Sequence, residues 1–205
     1  MKGIIALCLL AALSGCSAIQ LNPVSSSKTI YRTPAENVTA QLVLPQAFQE
    51  RVLVQKPSFG TAWGPREFEI HAGQPLSNAM AGDIKSRIPS ARIGNTPDGK
   101  PATVRVTAQD VAIEFGVDDA KALGFMGGFG LLGAGSGAVV AAKARVSALV
   151  SVDGGTAKRV EAIGSNTMSA TYLSITESDV SKVIGLALDD AALKLGDIAE
   201  AEMRR

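Results

Sequence analysis

The residue with the most distinctive chemistry in this chain is Cys16, a thiol at the end of an uncharged apolar run. Lys2 precedes that run, and Gly3 to Leu13 carry no charge. The run is too short to span a bilayer, which needs about 20 apolar residues, so it reads as a removable export signal. Ser14 and Gly15 are small enough to seat the next peptide bond in a peptidase groove, and Cys16 then brings a nucleophilic sulfur. The remaining chemistry is sparse. Cys8 lies within the signal, so the exported chain keeps one cysteine and no disulfide or thiolate metal site can form. His71 is the only histidine, which excludes a His-pair zinc site and argues against a His-based triad. No nucleophile elbow, H-E-x-x-H or calcium loop occurs, and Asp118-Asp119 and Asp189-Asp190 read as a turn and a solvated helix face. The expectation is a protein that is not an enzyme and needs no cofactor or metal.

Leu13-Ser14-Gly15-Cys16 resembles the lipobox of bacterial lipoproteins. The competing reading is an ordinary secretory signal with an incidental cysteine. The resemblance implies cleavage before Cys16, diacylglycerol on its sulfur and a further acyl chain such as palmitate on its new amine. Each buried methylene contributes about 0.8 kcal/mol, so two or three chains hold where one is marginal. Ser17 follows, and in the sorting pattern that it resembles, serine at that position sends the protein to the outer membrane. The expected location is therefore the outer membrane, lipid-anchored and facing the periplasm.

Removing residues 1–15 from the 205 leaves 190, enough for one domain. Lys2 is the only charge removed, so 19 basic and 19 acidic side chains remain. That balance argues against nucleic acid as a partner. Residues 16–36 are polar, with Ser25-Ser26-Ser27 in the middle, and read as a lipidated flexible tether. Ser17 to Pro34 would reach about 60 Å fully extended. One domain is expected over 37–205.

Within it, alternation from Val38 to Leu44 and over Arg51–Gln55 predicts short strands. Lys56–Gly73 reads as a loop with a strand around Phe68 and Ile70. It also holds Trp63, either a binding residue or an aromatic closing the sheet edge. Pro75–Ile88 reads as a helix with Leu76, Met80, Ile84 and Ile88 on one stripe and Asp83, Lys85 and Arg87 on other faces. Thr103–Phe115 reads as a long strand whose apolar parity flips at Gln109-Asp110, implying a bulge. Val140–Val152 alternates most cleanly and turns at Asp153-Gly154-Gly155 into a partner strand, Lys158–Met168. A last helix follows a Ser174/Glu177 capping box and shows Val180, Ile184, Leu188, Ala191, Leu195 and Ile198 on one face. That face would cover the sheet or, failing that, meet a partner or a membrane surface. The predicted fold is α+β, an antiparallel sheet of four to five strands with two helices on one face.

The stretch 122–142 carries no charge and seven glycines, with Phe125, Met126, Phe129, Leu131 and Leu132 among them. Three readings are open: a slack connection, an interface for self-association or an envelope protein, and a membrane-inserting glycine zipper. Seven glycines disfavour the last, at about 0.8–1.0 kcal/mol each relative to alanine in a helix. No Gly-Lys-Ser/Thr closes it as a phosphate loop.

The order helix Leu76–Ile88, strand Lys143–Val152 and final helix, behind a lipobox, resembles the YajG-like group of outer-membrane lipoproteins. The glycine run departs from that pattern. The same order is similar to the auxiliary lipoproteins of ABC-type envelope transport systems. The first resemblance implies a structural or assembly role through protein contacts, and the second implies a transport accessory that binds lipid or another apolar ligand.

Overall fold

A computed structural model describes residues 18–25, 37–59, 65–118, 137–171 and 175–204. The longest elements are those whose apolar parity is clearest. Strand β6 (Val104–Asp118), β7 (Gly137–Val152) and β8 (Lys158–Thr171) form an antiparallel meander. Ala142, Ala144, Val146, Ala148 and Val150 of β7 are buried on one face. The β6 parity changes where expected: Ala108 pairs with Ala148 but Asp110 with Ser147, leaving Gln109 as the bulged residue. Val111, Ile113, Phe115 and Val117 thereby rejoin the buried face. Asp153 and Gly154 both take positive φ (47° and 72°), and Gly155 N–H donates to Val152 O, closing the hairpin as a type I′ turn.

β2 (Ala40–Val43) and β5 (Arg92–Gly94) extend this sheet to the order β5-β2-β6-β7-β8. Here the sheet departs from expectation, because β2 pairs in parallel with both β5 and β6. The physical reason is the crossover. The chain leaves β2 and returns through helix α2 (Gly73–Arg87), which lets β5 re-enter in the same direction. A second, three-stranded sheet takes two strands from that excursion and a third from the segment ahead of β2. Its order is β1-β4-β3, from Ile19–Leu21, Phe68–His71 and Val52–Gln55. A one-turn helix α1 (Gln46–Gln49) precedes β3. The α+β class holds, with mixed sheets.

β1 corrects the tether expected over 16–36. Ile19–Leu21 pairs in parallel with β4, and Leu21 is fully buried. The next residues stay on the body. Ser25 Oγ donates to Asp189 at 2.6 Å, and a Cβ at Gly185 would stand 2.4 Å from Val24 O. The glycine-rich stretch expected to 142 is also shorter than read, because β7 already begins at Gly137.

Helix α3 (Glu177–Met203) lies across β7 and β8 and beside α2. Its capping box is Thr176/Asp179 rather than Ser174/Glu177. Asp179 N–H donates to Thr176 Oγ1, and Thr176 N–H donates to Asp179 Oδ2. Its buried face holds Val180, Ile184, Leu188, Ala191 and Leu195, as the stripe predicted. The seat is close. A Cβ at Gly164 of β8 would come within 2.1 Å of Ala187 O and 2.2 Å of Ala191 N. Asp190 accepts from Ser165 N–H and Lys194 Nζ, so the pair Asp189-Asp190 clamps neighbouring segments instead of facing solvent alone. No described helix is long and apolar enough to cross a membrane.

Candidate functional site

Cys16, Ser17, Trp63, Phe125, Met126, Phe129, Leu131 and Leu132 all lie outside the described residues, but the strands that flank them are placed. β3 runs alongside the open edge of β6. Arg51 reaches Asp110 at 3.4 Å, Gln55 Nε2 donates to Ile113 O, and Ser58 N–H donates to Phe115 O. Phe59 then bridges to Gly116 in parallel. β4 runs antiparallel to β3, and β1 runs parallel to β4, with Ile19 opposite Phe68. The Phe68 ring meets that of Phe115 edge-on at 5.3 Å. Reading backwards from Ile19 therefore leads the same way as reading forwards along β6 to Asp118. The residues that lead to Cys16, to Trp63 and to the glycine-rich run all leave one end of the body.

On the flank, the outer face of the small sheet joins a cleft of about 410 Å³ lined by Asn22, Pro23, Val24, His71, Gln74 and Asn78. Val24 is 75% exposed beside it, and Val54 is 61% exposed on β3. The cleft lining is neutral apart from the imidazole, whose buried Nε2 lies 3.2 Å from Glu69 Oε1 without hydrogen-bond geometry. Amides and apolar surface can hold a neutral peptide segment, whereas acid–base work needs a partnered donor and acceptor aimed into the space. A second cleft, about 360 Å³, lies at the opposite end, beside the β7–β8 turn. Three of its polar residues are engaged within the fold: Thr103 N–H donates to Thr39 Oγ1, and Arg105 Nε donates to Gln41 Oε1. Among the described residues, no group of three or more His, Cys, Asp or Glu side chains is placed to hold a metal.

The most concentrated charge is an ion network between the helices that the sequence reading missed. Asp83 and Arg87, expected on polar faces of α2, are 9% and 6% exposed. Arg87 Nε donates to Asp83 Oδ2 at 2.7 Å, Nη1 to Glu200 at 2.8 Å, and Nη2 to Asp197 at 2.9 Å and Leu193 O at 3.0 Å. Burial opposes the guanidinium charge, yet Asp83 and Asp197 together hold its pKa above the usual arginine value. A Cβ at Gly196 would lie 2.0 Å from Asp83 Oδ2, so the glycine makes room for the pair. The available signal was Asp83 and Arg87 at i,i+4 opposite a helical glycine. With the Arg87 donors consumed inside the fold, the network locks α2 to α3.

No protein-family model matches the chain, and no curated protein is detectably similar. Among solved structures, a minor lipoprotein from Acinetobacter baumannii aligns at 11% identity and a TM-score of 0.44, over 82% of this chain and 95% of that one. A Xanthomonas campestris protein of family DUF330 aligns at 11% identity and a TM-score of 0.42, over 90% and 98%. Similarity at this level assigns no role.

Proposed function

We propose that the chain is a lipid-anchored lipoprotein of the bacterial outer membrane, facing the periplasm, with a non-enzymatic structural or assembly role through protein contacts. The observation that carries this reading is Leu13-Ser14-Gly15-Cys16, three residues ahead of a strand built into the folded body. The acyl chains on Cys16 supply the membrane affinity, and the flank of Val24, Val54 and the neutral cleft supplies a surface for an envelope protein. The transport-accessory reading needs a groove for an acyl chain between helix and sheet. Gly164 against Ala187 and Ala191 closes that space among the described residues, which favours protein contact over lipid carriage.

The test is in-cell photocrosslinking from Val54, and from Phe129, in the lipidated chain, with mass spectrometry of the adducts. Adducts to envelope proteins or to a second copy support the assembly role. Adducts from Val54 to lipid alone would replace it with the transport reading.

A further inference from the structure

We infer that the body has no working tether: the end from which β1 starts is held against the leaflet that carries the acyl chains of Cys16, with the long axis of the meander pointing away from it. This rests on the lipid-anchor reading above. Ile19 is locked by its pairing with Phe68 and by Ile19 N–H donating to Glu67 O at 2.9 Å. Cys16 is three residues away, and a chain spans at most about 3.3–3.6 Å per residue, so the lipidated sulfur is bound within about 11 Å of the body. A tether from Ser17 to Pro34 would have allowed about 60 Å.

Which end faces the lipid follows from strand direction. Ile19 sits one strand spacing from Phe68, and the Phe68 ring touches Phe115. From Phe115, β6 continues three residues in the direction of Cys16 to Asp118, about 10 Å at strand rise. Asp118 and Gly137, the strand ends that flank 119–136, therefore stand at the end nearest the same leaflet, and the sequence from 122 to 136 has no charged side chain. An uncharged apolar sequence leaving the end nearest the acyl chains suits a lipid surface and would be a liability facing water. At the other end, the Asp153-Gly154 turn and the cleft beside it stand about 50 Å further out, fifteen residues along β7 from Gly137.

The experiment uses the full lipidated chain in vesicles, with an environment-sensitive fluorophore on Ser169→Cys or Thr156→Cys. Both sites are exposed, at opposite ends of the meander. Quenchers are attached to lipid headgroups. Quenching at position 169 should exceed that at 156 by about twofold or more, since the two lie about 40 Å apart along the strands. Equal quenching at both sites, with intact mass showing the acyl chains and the protein bound to vesicles, would overturn the orientation and leave the anchor standing. An intact mass without acyl chains would overturn the anchor reading, and this inference with it.

Discussion

Alanine at Gly164 and alanine at Gly82 should move stability in opposite directions. At Gly164 the new Cβ would meet backbone atoms of α3 at 2.1 and 2.2 Å, where ordinary contact begins near 3.4 Å. Backbone cannot rotate aside, so α3 must lift from β8 by roughly 1.2 Å or tilt. A gap of 0.5–1 Å already forfeits about a quarter to a half of the dispersion well at each contact. Ile184 and Leu188 are fully buried under that helix, and burying each contributes about 1.5–3 kcal/mol. Losing that fraction at both, with strain added, gives a cost of about 2–4 kcal/mol, at the upper end of overpacking effects. At Gly82, inside α2, nothing lies within 4 Å of the added carbon, and helix propensity alone should contribute about 0.8–1 kcal/mol. With a urea slope of about 2 kcal/mol/M, the midpoint should fall by about 1–2 M for Gly164→Ala and rise by about 0.4–0.5 M for Gly82→Ala. The assay is urea unfolding of the unlipidated Cys16→Ser chain, followed by circular dichroism. A Gly164→Ala midpoint equal to or above the parent's would refute the seating of α3 on β8.

Arg87→Met strands Asp83 in the helix interface without its cation, and removing one partner of a buried pair costs about 3–5 kcal/mol. The double variant Arg87→Met/Asp83→Leu should recover much of that loss, read by the same urea midpoints; a double variant as unstable as the single one would argue against burial as the cause. The Asp179 carboxyl is held below its ordinary value of 3.8, chiefly by Thr176 N–H and then by the Thr176 hydroxyl. Because its folded pKa is depressed, its contribution is present above 3.8 and disappears as pH falls through the folded value. Asp179→Asn should therefore lose less melting temperature than the parent between neutral pH and the region below 3.8. An identical loss in both proteins would remove the cap from the acid response.

The elements that were legible in the sequence are those whose burial repeats. Ala142 to Val150 alternate against one helix face over a single long strand, and Val180 to Leu195 keep one stripe, so parity alone locates them. The bulge was visible because a phase error in alternation has few other causes. β1 was not, because three residues give no period, and Leu21 pairs with a strand 49 residues later in the sequence. The parallel pairing of β2 hid for a similar reason, since direction depends on the crossover and not on the strand. Asp83 and Arg87 looked solvated because Asp197 and Glu200, the other partners of Arg87, lie more than 100 residues on, and only the docking of α2 on α3 reveals them. The capping box was misplaced by two residues because Ser174/Glu177 and Thr176/Asp179 share the same spacing, and spacing cannot choose between them.

The small-residue composition and the buried first strand are two sides of one constraint. Alanine and glycine let α3 approach β7 and β8 closely, but each such residue removes less apolar surface from water than a leucine would. A core of this kind needs other fasteners. The protein finds them at long range: the Arg87 network across the helices, Asp190 on the β8 backbone, and the N-terminal segment laid over Gly185 and tied by Ser25 to Asp189. The segment that follows Cys16 is therefore also a structural strand, so it cannot be drawn out without withdrawing Leu21 from the core. With the proposed lipid anchor, pull on Cys16 would be transmitted to β4 and, through Phe68 and Phe115, to the long meander. Anchored as proposed, the body would hold its position and angle relative to the membrane. That suits a role in which a partner must be met at a fixed height rather than sought over a wide radius.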